Sequence, residues 1–138
     1  MVLEKDLKTR VYEGVESEEL IRIPSSEQDF LSLAYEVPFK IEYHNSEIIV
    51  IGLSAFVHEL IITNVVSSFM NLIEDDSELT LLGSNLGVVS VGLSVSYFLP
   101  DLKIVKGKPV FVENTTSIIK NPTVVFEVMS PSTKSYDL

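Results

Sequence analysis

Three stretches make this chain an α/β domain. From about 55 to 73, apolar side chains recur at helical spacing at Val57, Ile61, Val65, Phe69 and Leu72, and Ile62, Val66 and Ile73 widen the stripe to the breadth of a helix lying on a sheet. Val89, Val91, Leu93, Val95, Tyr97 and Leu99 alternate with Ser90, Gly92, Ser94 and Ser96, the period of a half-buried strand. Thr123 to Ser130 is almost continuously apolar, as in a strand covered on both faces. With 138 residues and 46% apolar residues, the chain has the size of one domain that builds a core without staples.

Composition sets the remaining bounds. There is no cysteine, hence neither a disulfide framework nor a thiolate metal site. Residues 1–22 are charged, without an apolar stretch of signal-peptide length, and no run approaches the ~18 apolar residues of a span, so a cytoplasmic protein without a membrane partner is expected. The net charge of −10 opposes nucleic-acid binding by the chain as a whole, because phosphate is held by Lys and Arg. The charge is uneven. Residues 1–94 hold 16 acids against 5 bases, and residues 95–138 hold 4 acids against 5 bases. The second set of bases is Lys103, Lys106, Lys108, Lys120 and Lys134, whose ordinary reading is a solvated face.

In chain order, residues 1–27 are charged and weakly periodic, which predicts a loosely packed leader before a domain over 28–138. Ser25-Ser26-Glu27 ahead of Phe30, Leu31 and Leu33 predicts a capped short helix that Pro38 ends. Residues 40–51 predict a hairpin turning at Asn45-Ser46, with Glu42, by parity against Ile41 and Tyr43, facing solvent. Ser54 is placed to open the long helix, and Glu74-Asp75-Asp76 to stop it at the wrong end of the dipole for acids. Gly83, Gly87 and Gly92 break the strands between Leu79 and Val105; Lys106-Gly107-Lys108-Pro109 turns out of the last one. After Pro131, Ser132-Thr133 caps a further helix.

Two carboxylates stand out chemically. Glu127 is the single charge in its apolar strand, and a carboxylate taken out of water costs several kcal/mol unless it is paired, metal-bound, protonated or at an exposed strand end. A pairing with a lysine and a metal site are both open on this ground. Asp101 follows Pro100 at the end of the alternating run, on the side of the apolar set if parity continues. His58, in the first helical turn, is read as a surface or packing residue.

Asn121 through Thr133, followed by Tyr136-Asp137, resembles the signature of the Uma-type putative restriction endonuclease family, a branch of the PD-(D/E)XK nuclease superfamily. Pro100-Asp101 stands where that family has its Pro-Asp motif, Ile41-Glu42 with Glu47 to Val50 resembles its hairpin, and Ala55 to Ile73 its first long helix, with His58 where members often carry histidine. The similarity covers about 28–138. It implies a restriction-endonuclease-like core, a mixed β-sheet flanked by helices. There Asp101 and Glu127 meet at adjacent strands and hold Mg²⁺ or Mn²⁺, with the Val128 carbonyl as a further ligand and Glu42 as an extra catalytic carboxylate. The implied activity is phosphodiester hydrolysis, with DNA as partner.

The chain also departs from the pattern. Met129 stands where the superfamily has its lysine. Family members supply that lysine from the following helix, which this sequence does not complete, and Lys134 falls at a variable position. The last helix and strand of the core are expected to be lacking, which would leave apolar surface and a sheet edge uncovered. The expectation is a degenerate or weak nuclease that forms a homodimer. The alternative is a non-catalytic interaction or regulatory domain on the same fold, in which Glu127 is paired internally.

Overall fold

The computed structural model describes residues 6–15, 20–51 and 56–129. Three helices and nine strands follow one another as α1 (Leu7–Val15), β1 (Ile21–Pro24), α2 (Glu27–Ala34), β2 (Ile41–His44), β3 (Glu47–Val50), α3 (Phe56–Ile73), β4 (Leu79–Leu82), β5 (Gly87–Val91), β6 (Val95–Phe98), β7 (Leu102–Lys106), β8 (Ile118–Ile119) and β9 (Val124–Phe126). One sheet runs β1-β3-β2-β6-β5-β8 and is mixed, because β8 lies parallel to β5 while its other pairings are antiparallel. The other runs β4-β7-β9, antiparallel throughout. A mixed sheet flanked by helices is the architecture anticipated above.

Local chemistry explains the first half. The Ser26 hydroxyl accepts from Asp29 N–H at 3.1 Å, capping α2 with acids in its first turn. Asn45 and Ser46 both take left-handed φ, 51° and 60°, as a two-residue turn between strands requires, and they fix the register Glu42↔Ile49. Phe30, Tyr43 and Tyr97 cluster with ring centroids 5.3 to 6.5 Å apart, Phe30 stacked on Tyr43 and Tyr97 tilted against both. The tyrosine hydroxyls find partners, Tyr43 on Ser25 O and Tyr97 on Glu27 Oε1 at 2.6 Å, so burial strands no donor.

The loosely packed leader expected over 1–27 is corrected for its described residues. Val11 of α1 is completely buried against the sheet, Ile23 nearly so, and β1 pairs along its whole length with β3. A weak helical period of few apolar residues hid this. One buried side chain per short element contributes about 1.5–3 kcal/mol, which suffices when a β-branched strand such as Glu47 to Val50 is already waiting.

The alternating run 89–99 breaks at Gly92, as the glycine there predicts, and is a hairpin rather than one continuous strand. Gly92-Leu93-Ser94 turns between β5 and β6, and the pairing Val91↔Val95 carries the alternation across the turn. Gly87 is no break but part of β5. A Cβ there would stand 3.2 Å from Ile118 Cγ1, so the glycine lets β8 come alongside. The long helix is present, but its buried stripe is rotated from the expected one. Ile62, Val65, Val66, Phe69 and Ile73 are half-buried toward the small sheet, with Phe69 4.8 Å from Phe126, while Val57, Ile61 and Leu72 are exposed. By length and mean hydropathy α3 also passes as a membrane span, but it is seated on its domain through these contacts. The proposed caps at Ser54 and Ser132-Thr133 lie outside the described residues.

Candidate functional site

β6 ends at Phe98, and Leu99-Pro100-Asp101 carries the chain from the six-stranded sheet into β7 at the centre of the three-stranded one. This crossing gathers the candidate residues. Leu99 N–H donates to Glu42 Oε2 at 2.6 Å, tying β2 to the crossing. Val128 N–H donates to Asp101 Oδ2 at 2.7 Å, tying the end of β9 to it. His58 Nε2 lies 3.2 Å from the same oxygen, tying in the first turn of α3. The other ring nitrogen of His58 is 3.3 Å from Glu59 Oε1, so both imidazole nitrogens face carboxylate oxygens, and only the protonated ring can donate from both.

The expectation that Glu42 faces solvent is overturned: it is 3% exposed. Parity places it correctly, opposite Ile41 and Tyr43, but the Leu99 segment covers that face. A strand read alone does not show what crosses over it. Glu127 is the converse. Its strand is not covered on both faces, because β9 is an edge strand with Val124 and Val125 exposed, and Glu127 itself stands exposed just past the strand end. Glu127 therefore keeps water at an exposed strand end, and its charge acts on Lys103 from there.

Among the described residues the most deeply buried charge is Lys103, which was expected among the solvated lysines. It is 0% exposed, and its Nζ donates to Gly83 O at 2.8 Å and to Leu86 O. Burial, and then repulsion from Lys40, push its pKa down to about 8, while Glu127, Asp101 and Glu42 pull it back up. One cation thus sits within the field of all three candidate carboxylates. Lys40 donates to Ser84 Oγ, so two lysines hold the same Gly83–Leu86 connection, one from β7 and one from just before β2. The signal was legible. Leu102-Lys103-Ile104-Val105 is also an apolar strand with one charge, and the reasoning applied to Glu127 applies to it with more force.

Beside the crossing, Tyr35, Phe39, Lys40, Tyr97, Phe98 and Leu99 line part of a recess of about 600 Å³. Among the described residues, Lys40 is the only charged one in its lining, which no acid enters although the chain holds 20.

The groups near the crossing that could help to hold a hard cation are the Asp101 and Glu127 carboxylates and the Val128 carbonyl, with the His58 imidazole already on one oxygen of Asp101. Among the described residues, no three or more His, Asp and Glu side chains gather closely enough to hold a metal by themselves. A small divalent cation that keeps several waters needs only one or two carboxylates, so this donor set fits Mg²⁺ or Mn²⁺ better than a metal that wants a full protein cage.

Comparison with known proteins agrees with the fold. The family Uma2, described as Putative restriction endonuclease, matches residues 27–138. A curated relative, the Uncharacterized protein sll1609 of Synechocystis sp., is 27% identical over 109 residues, covering 79% of this chain and 60% of its own length. This chain therefore spans under two thirds of that relative. No solved structure matches.

Proposed function

The chain belongs to the Uma2 putative restriction endonuclease family, and from that premise we propose that the Leu99–Asp101 crossing is a divalent-cation centre for phosphodiester hydrolysis, with DNA as the substrate class. The observation that carries the reading is the 2.7 Å hydrogen bond from Val128 N–H to Asp101 Oδ2. It carries the β7–β9 register, in which Leu102 pairs with Phe126, one step past the strand ends, so that Asp101 comes opposite Glu127.

In this reading Asp101, Glu127 and the Val128 carbonyl hold Mg²⁺ or Mn²⁺. Such an ion polarises a phosphoryl oxygen and makes bound water more acidic. The chain's own residues supply orientation. Val128 N–H and His58 fix one oxygen of Asp101, which leaves the other for the cation. Glu127, exposed at the strand end, would hold the ion where a phosphate can reach it from solvent. Glu42 keeps the crossing in place through Leu99. Lys103, the lysine nearest Asp101 in sequence, is sealed from solvent on the Gly83 and Leu86 carbonyls and does not present its charge to the substrate. Losing one such stabilising group typically costs about 10²–10³ in rate, and slow turnover is expected.

Calorimetric titration of Mn²⁺ tests this. The parent chain is expected to bind one ion, and Asp101→Asn and Glu127→Gln are each expected to abolish binding. A parent that takes up no ion, or variants that bind like it, would overturn the metal centre. With metal present, DNA affinity should fall steeply with added salt.

A second reading has its own support. Lys103 already supplies positive charge to Glu127, Asp101 and Glu42, as a retained scaffold without catalysis would. It predicts an ion-free parent and no DNA binding at low salt.

A further inference from the structure

α3 is apolar well beyond the side that the small sheet uses, with Phe56, Leu60 and Met70 exposed as well. The other side carries a line of exposed residues: Val57 (63% exposed), Ile61 (42%), Asn64, Ser68 and Leu72 (78%). Their steps of four, three, four and four residues keep them in register along the helix. The line is also nearly self-complementary when reversed. About a point between Asn64 and Val65, Val57 comes opposite Leu72, and Ile61 comes opposite the small Ser68 of a reversed copy. Asn64 falls next to the axis, where two amides can bond to each other. A two-fold axis makes every such contact twice, and a single polar residue in an apolar seam fixes its register.

Charge narrows the choice of partner. The chain carries −10, so most faces would set acid against acid. This strip has no charged side chain, and the one acid of α3, Glu59, stands beside His58 away from the line. A charged partner would find no counter-charge to read. An anionic bilayer would want Lys or Arg beside the strip, and α3 has neither; a bilayer interior would have to take in Asn64 and Ser68.

We propose that two copies of this chain pair through α3, antiparallel about a two-fold axis near Asn64. The 18-residue helix is ~27 Å long, and its strip covers roughly half of the ~800 Å² that each partner of a stable complex buries. The dimer is therefore reversible, and its population rises with concentration. It does not depend on the cation centre, which uses the inward side of the same helix.

The absence of cysteine makes the test clean. Asn64→Cys is expected to form a disulfide-linked dimer on mild oxidation. Val57→Cys and Leu72→Cys are expected to cross-link when mixed but not singly, and Lys108→Cys not at all. In sedimentation equilibrium the parent is expected to shift from monomer toward dimer with concentration, and Ile61→Glu to weaken association at least tenfold with its thermal melt unchanged. A parent that stays monomeric at every concentration, or mixed Val57→Cys and Leu72→Cys chains that link no better than either alone, would overturn the pairing. Binding of the parent to neutral or anionic phospholipid vesicles, lost in Ile61→Glu, would overturn it in favour of a membrane surface.

Discussion

In the six-stranded sheet, Ile23, Ile48 and Val50 have at most 1% of their surface exposed beneath α1 and α2, whereas α3, over the three-stranded sheet, has no buried residue among its eighteen. Both regions are rich in apolar residues. They differ in what covers them: two short helices with few apolar residues close the large sheet, while one long helix with many covers the small sheet with one side and turns the other outward. Apolar content therefore does not measure burial here. The candidate site lies where the two regions join, and it borrows Glu42 from the well-covered one and Asp101, Glu127 and Lys103 from the other.

Core truncation breaks this contrast most directly. Ile48→Ala, at a fully buried position of β3, is expected to lower unfolding stability by about 2–5 kcal/mol in urea titration. Met70→Ala, on the exposed side of α3 and off the proposed seam, is expected to change it by under about 0.5 kcal/mol. Equal losses at both positions would show that α3 is as covered as the strands.

The pH dependence is the next largest effect, and it lives at the junction. Lys103 titrates near 8 in the folded chain against 10.5 when unfolded, so between those values the unfolded chain binds the extra proton. Stability is expected to rise with pH from about 8, by an amount on the order of 3 kcal/mol if it continued to 10.5. Tyr97 changes the slope at the top. Burial first, and then Glu27, raise its phenol from 10.0 to about 12, so stability falls as pH climbs from 10 toward 12. A maximum near pH 10 is expected in urea titrations, and Lys103→Met is expected to remove the rising limb. A rising limb that survives the substitution would mean that Lys103 is not the buried charge responsible.

The smallest effect sharpens the account of the covered half. Ser26→Ala removes the cap on α2 and is expected to lower stability by about 1 kcal/mol, with the loss confined to thermal or urea midpoints. A loss under a few tenths would mean that Phe30 and Leu33, packed into the core, hold α2 without its cap.

Elements governed by neighbours in sequence are legible in the residues themselves: the α2 cap at Ser26, the Asn45-Ser46 turn, the length of α3 and the pair of strands that begin after Asp101 and end before Glu127. Parity also set the side of Glu42 correctly. It could not show that Leu99 crosses over that side, because the crossing is made by a segment 57 residues away. The same limit hid Val11 and Ile23, whose partners lie in β3, and His58, whose partner Asp101 lies on another element.

What the sequence determined by itself is the fold class and the order of most elements, since helical and strand periods are written in consecutive residues. Only the tertiary structure decided which of the strand charges is sealed away. Glu127 and Lys103 look alike in sequence, one charge each in an apolar strand. β9 is an edge that lets its acid reach water, whereas β7 lies between two strands and must satisfy its lysine with the carbonyls of Gly83 and Leu86. Strand position in a sheet is a property of the whole chain, and it determines the cost of burying each charge.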